Sequence, residues 1–332
     1  MSFRAFTLAA CSAALALAAT PALAQQFPDE TPRPQQGDVK VGSLQRYKVR
    51  GDVYMYAGAT GNTLVFIGAD CVLVVDPQGG AAAADLMADI KTLSPKPIRW
   101  VINTSADADR VAGNQVVAQA GASFEGEYVR GAGGAATNRA KIYAHEGVTL
   151  QLSAAGGDSA GWPTDTYFVS TRDMYLNDEG VQMMHLPAAH TGGDSIVVFR
   201  RSDVVAVGGV YTPGRFPKID VANGGSIQGL LNGLNQLLRI TIPALKQQGG
   251  TLIVPASGRI ADEGDVAEYR DMMTIIRDRV RDMIGKRMTL AQIQAAKPTV
   301  DYDPVYDGEA AGRALVESIY RSLTAGQTQG RR

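Results

Sequence analysis

The chain has 332 residues, of which 45% are hydrophobic and 20% are charged, and its formal net charge is −1. This composition is typical of a globular protein and excludes an intrinsically disordered chain. Because 32 basic residues are balanced by 33 acidic ones, the sequence offers no positive field for a nucleic-acid backbone, and we expect no nucleic-acid partner. Only three histidines are present, which excludes a metal centre that needs four or more imidazoles.

The N-terminus is predicted to be a signal peptide comprising residues 1–24. Arg4 precedes an Ala- and Leu-rich run that ends in small residues suited to signal peptidase, so we expect cleavage after Ala24 and a periplasmic or secreted protein. The apolar run is short and lacks a basic flank, so no stable membrane span is expected after cleavage. The alternative is a lipoprotein anchored through Cys11. Cleavage would leave Cys71 as the only cysteine, and no internal disulfide is expected.

The rest of the chain is predicted to contain a lead-in, one main domain and a C-terminal helix. Residues 25–45 are rich in Pro, Gln and Asp and predict a flexible, exposed lead-in. Residues 46–305 form the predicted domain. Residues 306–332 are predicted to contain an amphipathic helix followed by a loose tail.

Hydrophobic periodicity predicts β-rich and helical segments in alternation. In chain order these are strands at 53–56, 62–67 and 71–75, a helix at 81–93, a strand at 98–102, a helix at 111–120, strands at 142–145, 166–169, 174–176, 181–186, 195–199 and 204–207, a helix at 227–238, a strand at 251–254 and a helix at 265–284. The Gly- and Ala-rich stretch 121–160 otherwise gives no clear pattern. The polar loop 103–109 lies between a strand and a helix, where α/β proteins often place their chemistry.

Three ordered motifs resemble those of the metallo-β-lactamase superfamily. Residues 101–114, Val-Ile-Asn-Thr-Ser-Ala-Asp-Ala-Asp-Arg-Val-Ala-Gly-Asn, resemble its signature loop Asn-Thr-His-x-His-x-Asp-His-x-x-Gly-Asn. Residues 187–195 resemble its second motif, a single His followed by a Gly/Asp turn, and residues 253–258 resemble its last, usually Pro-Gly-His-Gly. With similarity in the flanks, the resemblance covers roughly residues 45–305. It implies an α/β fold, the αβ/βα four-layer sandwich, with ligands on loops at one edge.

The resemblance also implies where the family's metal ligands fall. Asp109 and His190 keep the family residue, and Asp107 replaces an imidazole by a carboxylate. The other ligand positions are substituted by Ser105, Arg110, Gly209 and Ser257. Zinc needs several imidazole or anionic ligands and one open position, so we expect no cofactor. The alternative is a single divalent metal, zinc or another ion, on Asp107, Asp109 and His190.

The residues at and around these positions also have structural interpretations. Asp107 and Asp109 lie where a carboxylate caps a helix, and either is expected to pair with the Arg110 guanidinium in place of metal charge. His190 lies in a Gly-rich turn, where hydrogen bonding to that turn is favoured over ligation. His185 on its strand is predicted to be structural.

Cys71 and His145 also have structural interpretations. Cys71 opens an apolar strand and is most simply a small core residue. His145 lies in a segment that the resembled family often retains without using it as a ligand. Neither residue is therefore predicted to take part in the chemistry.

Three functional hypotheses follow, and they leave open whether the chain is an enzyme. The favoured one is an exported pseudoenzyme that has lost zinc hydrolysis and binds a small-molecule ligand or substrate in the edge cleft. The second is a lactam, ester or thioester hydrolase with the reduced mononuclear site. The third is a metal-free hydrolase with Ser105 or Ser257 as nucleophile, His190 as base and Asp107 or Asp109 orienting the imidazole. The candidate catalytic residues are Asp109, His190 and Ser257.

Overall fold

Two β-sheets lie face to face, with helices on both outer sides. A computed structural model describes residues 38–123, 138–246 and 249–329, so the predicted signal peptide and Cys11 lie outside the described residues. The first sheet contains eight strands whose spatial order follows the chain: β1 (Val39–Val41), β2 (Leu44–Arg50), β3 (Val53–Ala57), β4 (Asn62–Ile67), β5 (Val72–Val75), β6 (Ile98–Ile102), β7 (Lys141–His145) and β8 (Asp165–Tyr167). The second sheet contains five strands: β9 (Thr171–Leu176), β10 (Glu179–His185), β11 (Ser195–Phe199), β12 (Val204–Gly208) and β13 (Leu252–Pro255).

The helices cover the outer faces of both sheets. Their bounds are α1 (Ala81–Leu93), α2 (Ala108–Val111), α3 (Asn114–Ala120), α4 (Glu146–Ala155), α5 (Ile227–Ile240), α6 (Glu263–Gly285), α7 (Leu290–Ala295) and α8 (Gly308–Gln329), with short 3₁₀ turns at Ser159–Gly161 and Val221–Asn223. Helix, sheet, sheet and helix form the predicted αβ/βα four-layer sandwich, which is confirmed. No helix within the described ranges is both long enough and apolar enough to cross a bilayer.

Three apolar clusters hold the layers together. Between the sheets, Phe66 of β4 and Phe199 of β11 meet edge to face with ring centroids 5.5 Å apart. Cys71 is buried in the same cluster, as predicted, and burial raises the pKa of its thiol to about 11. A second cluster packs α1 and α3 on the first sheet, and a third packs α5, α6 and α8 on the second. Because this packing buries the faces of both sheets, a functional site is expected on the loops at the strand ends.

The structure differs from the predicted elements at several boundaries. Strand β1 lies within the predicted lead-in, because its two valines are too short a pattern to be recognised. Helix α4 lies in the stretch that gave no clear pattern. Helix α8, within the predicted C-terminal helix and tail, packs on the main core through Leu315, Val316 and Ile319.

The helix predicted at 111–120 is divided into α2 and α3. A Cβ atom at Gly113 would lie 2.3 Å from the carbonyl oxygen of Gln78. The backbone therefore approaches a neighbouring loop too closely for any side chain at this position. The Gly113 N–H donates to the Pro77 carbonyl at 2.9 Å, and this contact interrupts the helix. This contact is distant in sequence and leaves no periodic signal.

Two buried asparagines fix the loop that follows β6. Asn103 and Asn114 exchange reciprocal side-chain hydrogen bonds of 2.9 and 2.8 Å. The Asn103 amide also donates to the Arg110 carbonyl at 3.0 Å, and the Asn114 amide donates to the Gly161 carbonyl at 2.8 Å. Both side chains are fully buried, so each lost partner leaves a polar group without compensation.

The substitution Asn114→Ala is expected to lower the free energy of unfolding by about 2 kcal/mol, because it leaves the Asn103 amide buried without its partner. Chemical denaturation followed by circular dichroism measures this change. Gln119→Ala, at an exposed position of the same helix, is the control and is expected to change stability little. Equal stability of the two variants would contradict the assigned role of the pair.

A pair of stacked histidines joins the ends of the two sheets. The rings of His145, which ends β7, and His185, which ends β10, are parallel with centroids 3.6 Å apart. His145 Nδ1 accepts the Gly147 N–H at 3.2 Å and so caps α4, whereas His185 Nδ1 lies 3.0 Å from the Asp194 carbonyl and must donate to it. Burial, together with the neighbouring His185, lowers the pKa of His145 from 6.5 to about 4.

The stacked pair predicts that stability decreases as the pH falls from about 6.5 towards 4. The folded state lowers the pKa of His145, so the unfolded state binds the proton more tightly and gains stability on acidification. His145→Asn keeps a capping acceptor but cannot be protonated, and we expect a shallower fall in melting temperature between pH 7.5 and 4.5. Ser153→Ala, exposed on α4, should retain the slope of the unmodified chain. An unchanged slope in His145→Asn would refute this assignment.

Candidate functional site

The predicted motifs converge at one edge of the sandwich. Strands β5 and β6 are parallel, as are β12 and β13, so the loops that follow them leave at the same edge. The loop after β6 reaches across to the second sheet, since the Ser195 N–H donates to the Thr104 carbonyl at 2.8 Å. The Arg110 side chain reaches the loop after β13, where Nη1 donates to the Ala256 carbonyl at 3.0 Å.

Asp107 and His190 form the central contact of this edge. The His190 Nε2 atom lies 2.8 Å from Asp107 Oδ2, which also accepts the Ser105 hydroxyl at 2.7 Å. The other oxygen, Oδ1, accepts from Lys218 Nζ at 3.3 Å. Asp107 occupies the N-cap position of α2 but makes no capping hydrogen bond, so its carboxylate serves His190 rather than the helix.

Both ring nitrogens of His190 face hydrogen-bond acceptors. Its Nδ1 lies 2.7 Å from the Lys218 carbonyl oxygen, and its Nε2 faces the Asp107 carboxylate. A carbonyl oxygen and a carboxylate can only accept, so both nitrogens must carry a proton. The ring is therefore an imidazolium paired with a carboxylate. The sequence had indicated hydrogen bonds to the ring's own Gly-rich turn. In the structure both bonds go instead to other loops, at Lys218 and Asp107.

The pKa shifts of the pair follow from this geometry. Burial lowers the pKa of His190, but the hydrogen bond and negative charge of Asp107 outweigh burial and raise it above its usual value. Burial raises the pKa of Asp107, but His190, Ser105 and Lys218 together hold it well below its usual range. The side chain of His190 is only 3% exposed, so water screens the pair weakly.

Arg110 is one of the positions that the sequence predicted to be a substituted metal ligand. Its Nη2 atom pairs with Asp109 Oδ2 at 3.3 Å, so of the two predicted partners the structure selects Asp109. Its Nε atom is buried and has no partner among the described residues. Burial raises the pKa of the nearby Asp76 carboxyl to about 6, although the charge of Arg110 and hydrogen bonds from Thr104 lower it.

Asp194 shapes the loop that carries His190. Its carboxylate accepts the Thr191 N–H at 2.5 Å and the Thr191 hydroxyl at 3.0 Å. Burial raises the pKa of Asp194 to about 6, against the opposing charge of His190. These bonds hold the backbone of the loop directly after His190.

The remaining predicted positions do not complete a nucleophilic triad. The Ser105 hydroxyl donates to Asp107 and not to His190, so the carboxylate lies between the hydroxyl and the imidazole. Within the described residues, no hydrogen bond joins Ser257 to His190. At Gly209, a Cβ atom would lie 3.3 Å from His190 Cδ2, so this position faces the imidazole ring.

A cleft of about 500 Å³ lies beside these residues. Its lining includes Arg110, His190 and Gly209, together with Arg215 and Lys218, whose side chains are 59% and 67% exposed. Sequence reasoning missed Arg215 and Lys218, since they lie in an irregular loop without a motif. Asp76 was not predicted either, although it is the first polar residue after the buried strand β5, a position that often carries a functional side chain at this edge.

Ligand-type residues are not grouped for metal binding in the described part of the chain. No cluster of three or more His, Cys, Asp or Glu side chains there is arranged to coordinate an ion. Of the positions proposed for a reduced site, Asp107 and His190 lie together, but they bond to each other. Asp109 turns to Arg110 instead.

Comparison with known proteins identifies the fold. No protein-family profile and no curated protein sequence matches the chain. Among solved structures, the stereoselective inverting sec-alkylsulfatase Pisa1 from Pseudomonas sp. matches with a TM-score of 0.63 and 14% identity over 83% of this chain and 49% of that one. A double mutant of the same enzyme matches with a TM-score of 0.61 and 13% identity over 86% and 52%.

A metallo-β-lactamase from Pontibacter korlensis matches with a TM-score of 0.53 and 13% identity, over 70% of this chain and 99% of that one. The chain thus spans about half the length of the alkylsulfatase, but its match extends over nearly all of the lactamase. At such low identities the likeness concerns the fold alone. The chain has the metallo-β-lactamase fold.

Proposed function

We propose that this chain is an exported pseudoenzyme of the metallo-β-lactamase fold, which binds a small molecule in the edge cleft without zinc hydrolysis. The observation that carries the proposal is the double hydrogen bond of His190. An imidazole coordinates a metal only through a nitrogen without a proton, and both nitrogens of His190 donate to protein acceptors. The same bonds prevent this ring from acting as a general base.

The remaining positions do not fit a zinc ion. Arg110 brings a permanent cation to a ligand position, and its ion pair with Asp109 engages the other acidic candidate. Ser105 and Ser257 offer neutral hydroxyls and Gly209 offers no side chain, whereas zinc prefers imidazole, thiolate and carboxylate ligands. The donor set therefore supports an internal ion-pair network in place of a metal.

The cleft itself favours a ligand with an anionic group. Lys218 and Arg215 stand largely exposed at its rim, and their carboxylate partners lie at loose distances of 3.3 Å for Asp107 and 3.7 Å for Asp307. The pair of Arg215 with Asp307 is exposed on both sides and contributes little stability, so an incoming anion can replace it at small cost. Export follows from the predicted signal peptide.

Protein purified without added metal and then dialysed is expected to contain well under one zinc ion per chain, because the potential ligands are already paired with each other. Elemental analysis by mass spectrometry measures this content. Stoichiometric zinc that resists dialysis would contradict the proposal. Chelator-sensitive cleavage of a lactam, ester or thioester would then favour a hydrolase with a reduced mononuclear site.

The control for this measurement is a variant with the family motif restored. Ser105→His, Asp107→His and Arg110→His together rebuild the first motif around Asp109 and remove the carboxylate that engages His190. We expect this triple variant to take up zinc under conditions in which the unmodified chain does not. Circular dichroism checks that the variant is folded.

The imidazole of His190 is expected to carry protons on both nitrogens at pH 7, since both nitrogens lie within hydrogen-bond distance of groups that accept, and the Asp107 carboxylate raises the pKa of the ring. Nitrogen NMR of histidine-labelled protein distinguishes protonated from unprotonated ring nitrogens. Asp107→Asn removes the charge that raises the pKa, so His190 should lose its proton at a lower pH. Ser257→Ala should leave the signals unchanged. One unprotonated His190 nitrogen at pH 7 in the unmodified chain would contradict the assigned ion pair.

A further inference from the structure

A second cavity, separate from the cleft and of about 350 Å³, lies beside α6. Four tyrosines contribute to its lining: Tyr211, Tyr269, Tyr302 and Tyr306. Tyr211 and Tyr269 meet edge to face with centroids 5.0 Å apart, and the Tyr306 ring lies 6.1 Å from that of Tyr269. A concave site of this size lined by aromatic rings has the dimensions of a small-molecule pocket.

Helix α6 supplies one wall of this cavity. Glu268, Met272 and Ile275 follow one another at intervals of four and three residues and so lie on one helical face. Ile275 is 42% exposed, so its apolar side chain is accessible to a ligand in the cavity. Met272 and Ile275 make one part of this wall apolar, whereas Asp265, Glu268 and Asp271 make the part nearer the start of the helix acidic.

Among the described residues, two of the three carboxylates that line the cavity form ion pairs with arginines, and the third does not. Asp265 makes a two-pronged ion pair with Arg259 at 2.6 and 2.7 Å, and Asp271 pairs with Arg270 at 2.6 Å. Glu268 makes no hydrogen bond or ion pair with any residue that the structure describes. Its charge acts on the rings, since burial and the Glu268 carboxylate together raise the pKa of Tyr306 to about 12.

The tyrosines differ in their surroundings. Tyr211 is 2% exposed and lines the cavity. The Tyr269 hydroxyl donates to the Arg215 carbonyl at 3.2 Å. Tyr211 therefore forms part of the cavity wall, and Tyr269 is also bonded to the segment that carries Arg215.

We propose that this tyrosine-lined cavity binds an organic cation with an apolar body, with the ammonium group facing Glu268 and the tyrosine rings. Electron-rich ring faces attract cations, and the attraction increases where water is excluded. The unpaired carboxylate supplies charge complementarity, and the apolar wall at Met272 and Ile275 accommodates the rest of the ligand. This inference is independent of the function proposed for the cleft.

Isothermal titration calorimetry with benzyltrimethylammonium chloride tests the proposal on the unmodified, folded chain. Benzyl alcohol and sodium benzenesulfonate, at the same ionic strength, serve as the neutral and anionic comparisons. We expect saturable binding of the cation and at least about tenfold weaker binding of both comparisons. Equal affinities for the three compounds, or no saturable binding of the cation, would overturn the proposal.

Glu268→Gln keeps the size of the side chain and removes its charge, and we expect it to weaken binding of the cation by about tenfold. Glu263→Gln makes the same change on α6 outside the cavity and is expected to bind like the unmodified chain. Asp109→Asn makes a comparable change in the cleft and should likewise leave the affinity unchanged. Loss of affinity in Asp109→Asn with retention in Glu268→Gln would place the cation in the cleft and refute the proposed site.

Discussion

The ion pair between Asp107 and His190 is the constraint on which the edge of this sandwich depends. Asp107 follows a strand of the first sheet and His190 follows a strand of the second, so their contact joins the two halves. A buried ion pair repays the loss of water only when its other lone pairs and protons are satisfied. Here Ser105 and Lys218 complete the carboxylate, and the Lys218 carbonyl completes the imidazolium.

Asp76 and Arg110, next to this ion pair, are also a buried charge and its compensating charge. Asp76 is buried, with both carboxylate oxygens accepting hydrogen bonds from Thr104 at 2.8 and 2.6 Å. The positive charge of the Arg110 guanidinium lowers the free energy of the charged form of Asp76. The buried Nε of Arg110 lacks a partner in the described part of the chain. Arg110 therefore supplies charge at this position without optimal hydrogen bonding, at some cost in stability.

Much of the fold was predictable because its signals are local. The alternation of apolar residues located most strands, and the order of three motifs indicated the four-layer sandwich. The structure brings Asp107 and His190, two residues that the motifs singled out, into contact at one edge. The break at Gly113 was not predictable, because it arises from contact with the Gln78 backbone. The sequence also could not predict that Asp107 lies between Ser105 and His190 and bonds to both. Spacing along the chain does not determine which of three side chains contacts the other two.

The segment between Tyr211 and Phe216 gives the two cavities a common wall. Thr212, Arg215 and Phe216 line the cleft, whereas Tyr211, Pro213 and Gly214 line the tyrosine cavity. Pro213 packs closely against Gly258, where a Cβ atom would lie 2.8 Å from the proline ring, so the segment has little room to shift independently of the loop after β13. A displacement of this segment by a ligand on one side must therefore change the shape of the other cavity. By thermodynamic linkage, any resulting change in affinity is the same in both directions.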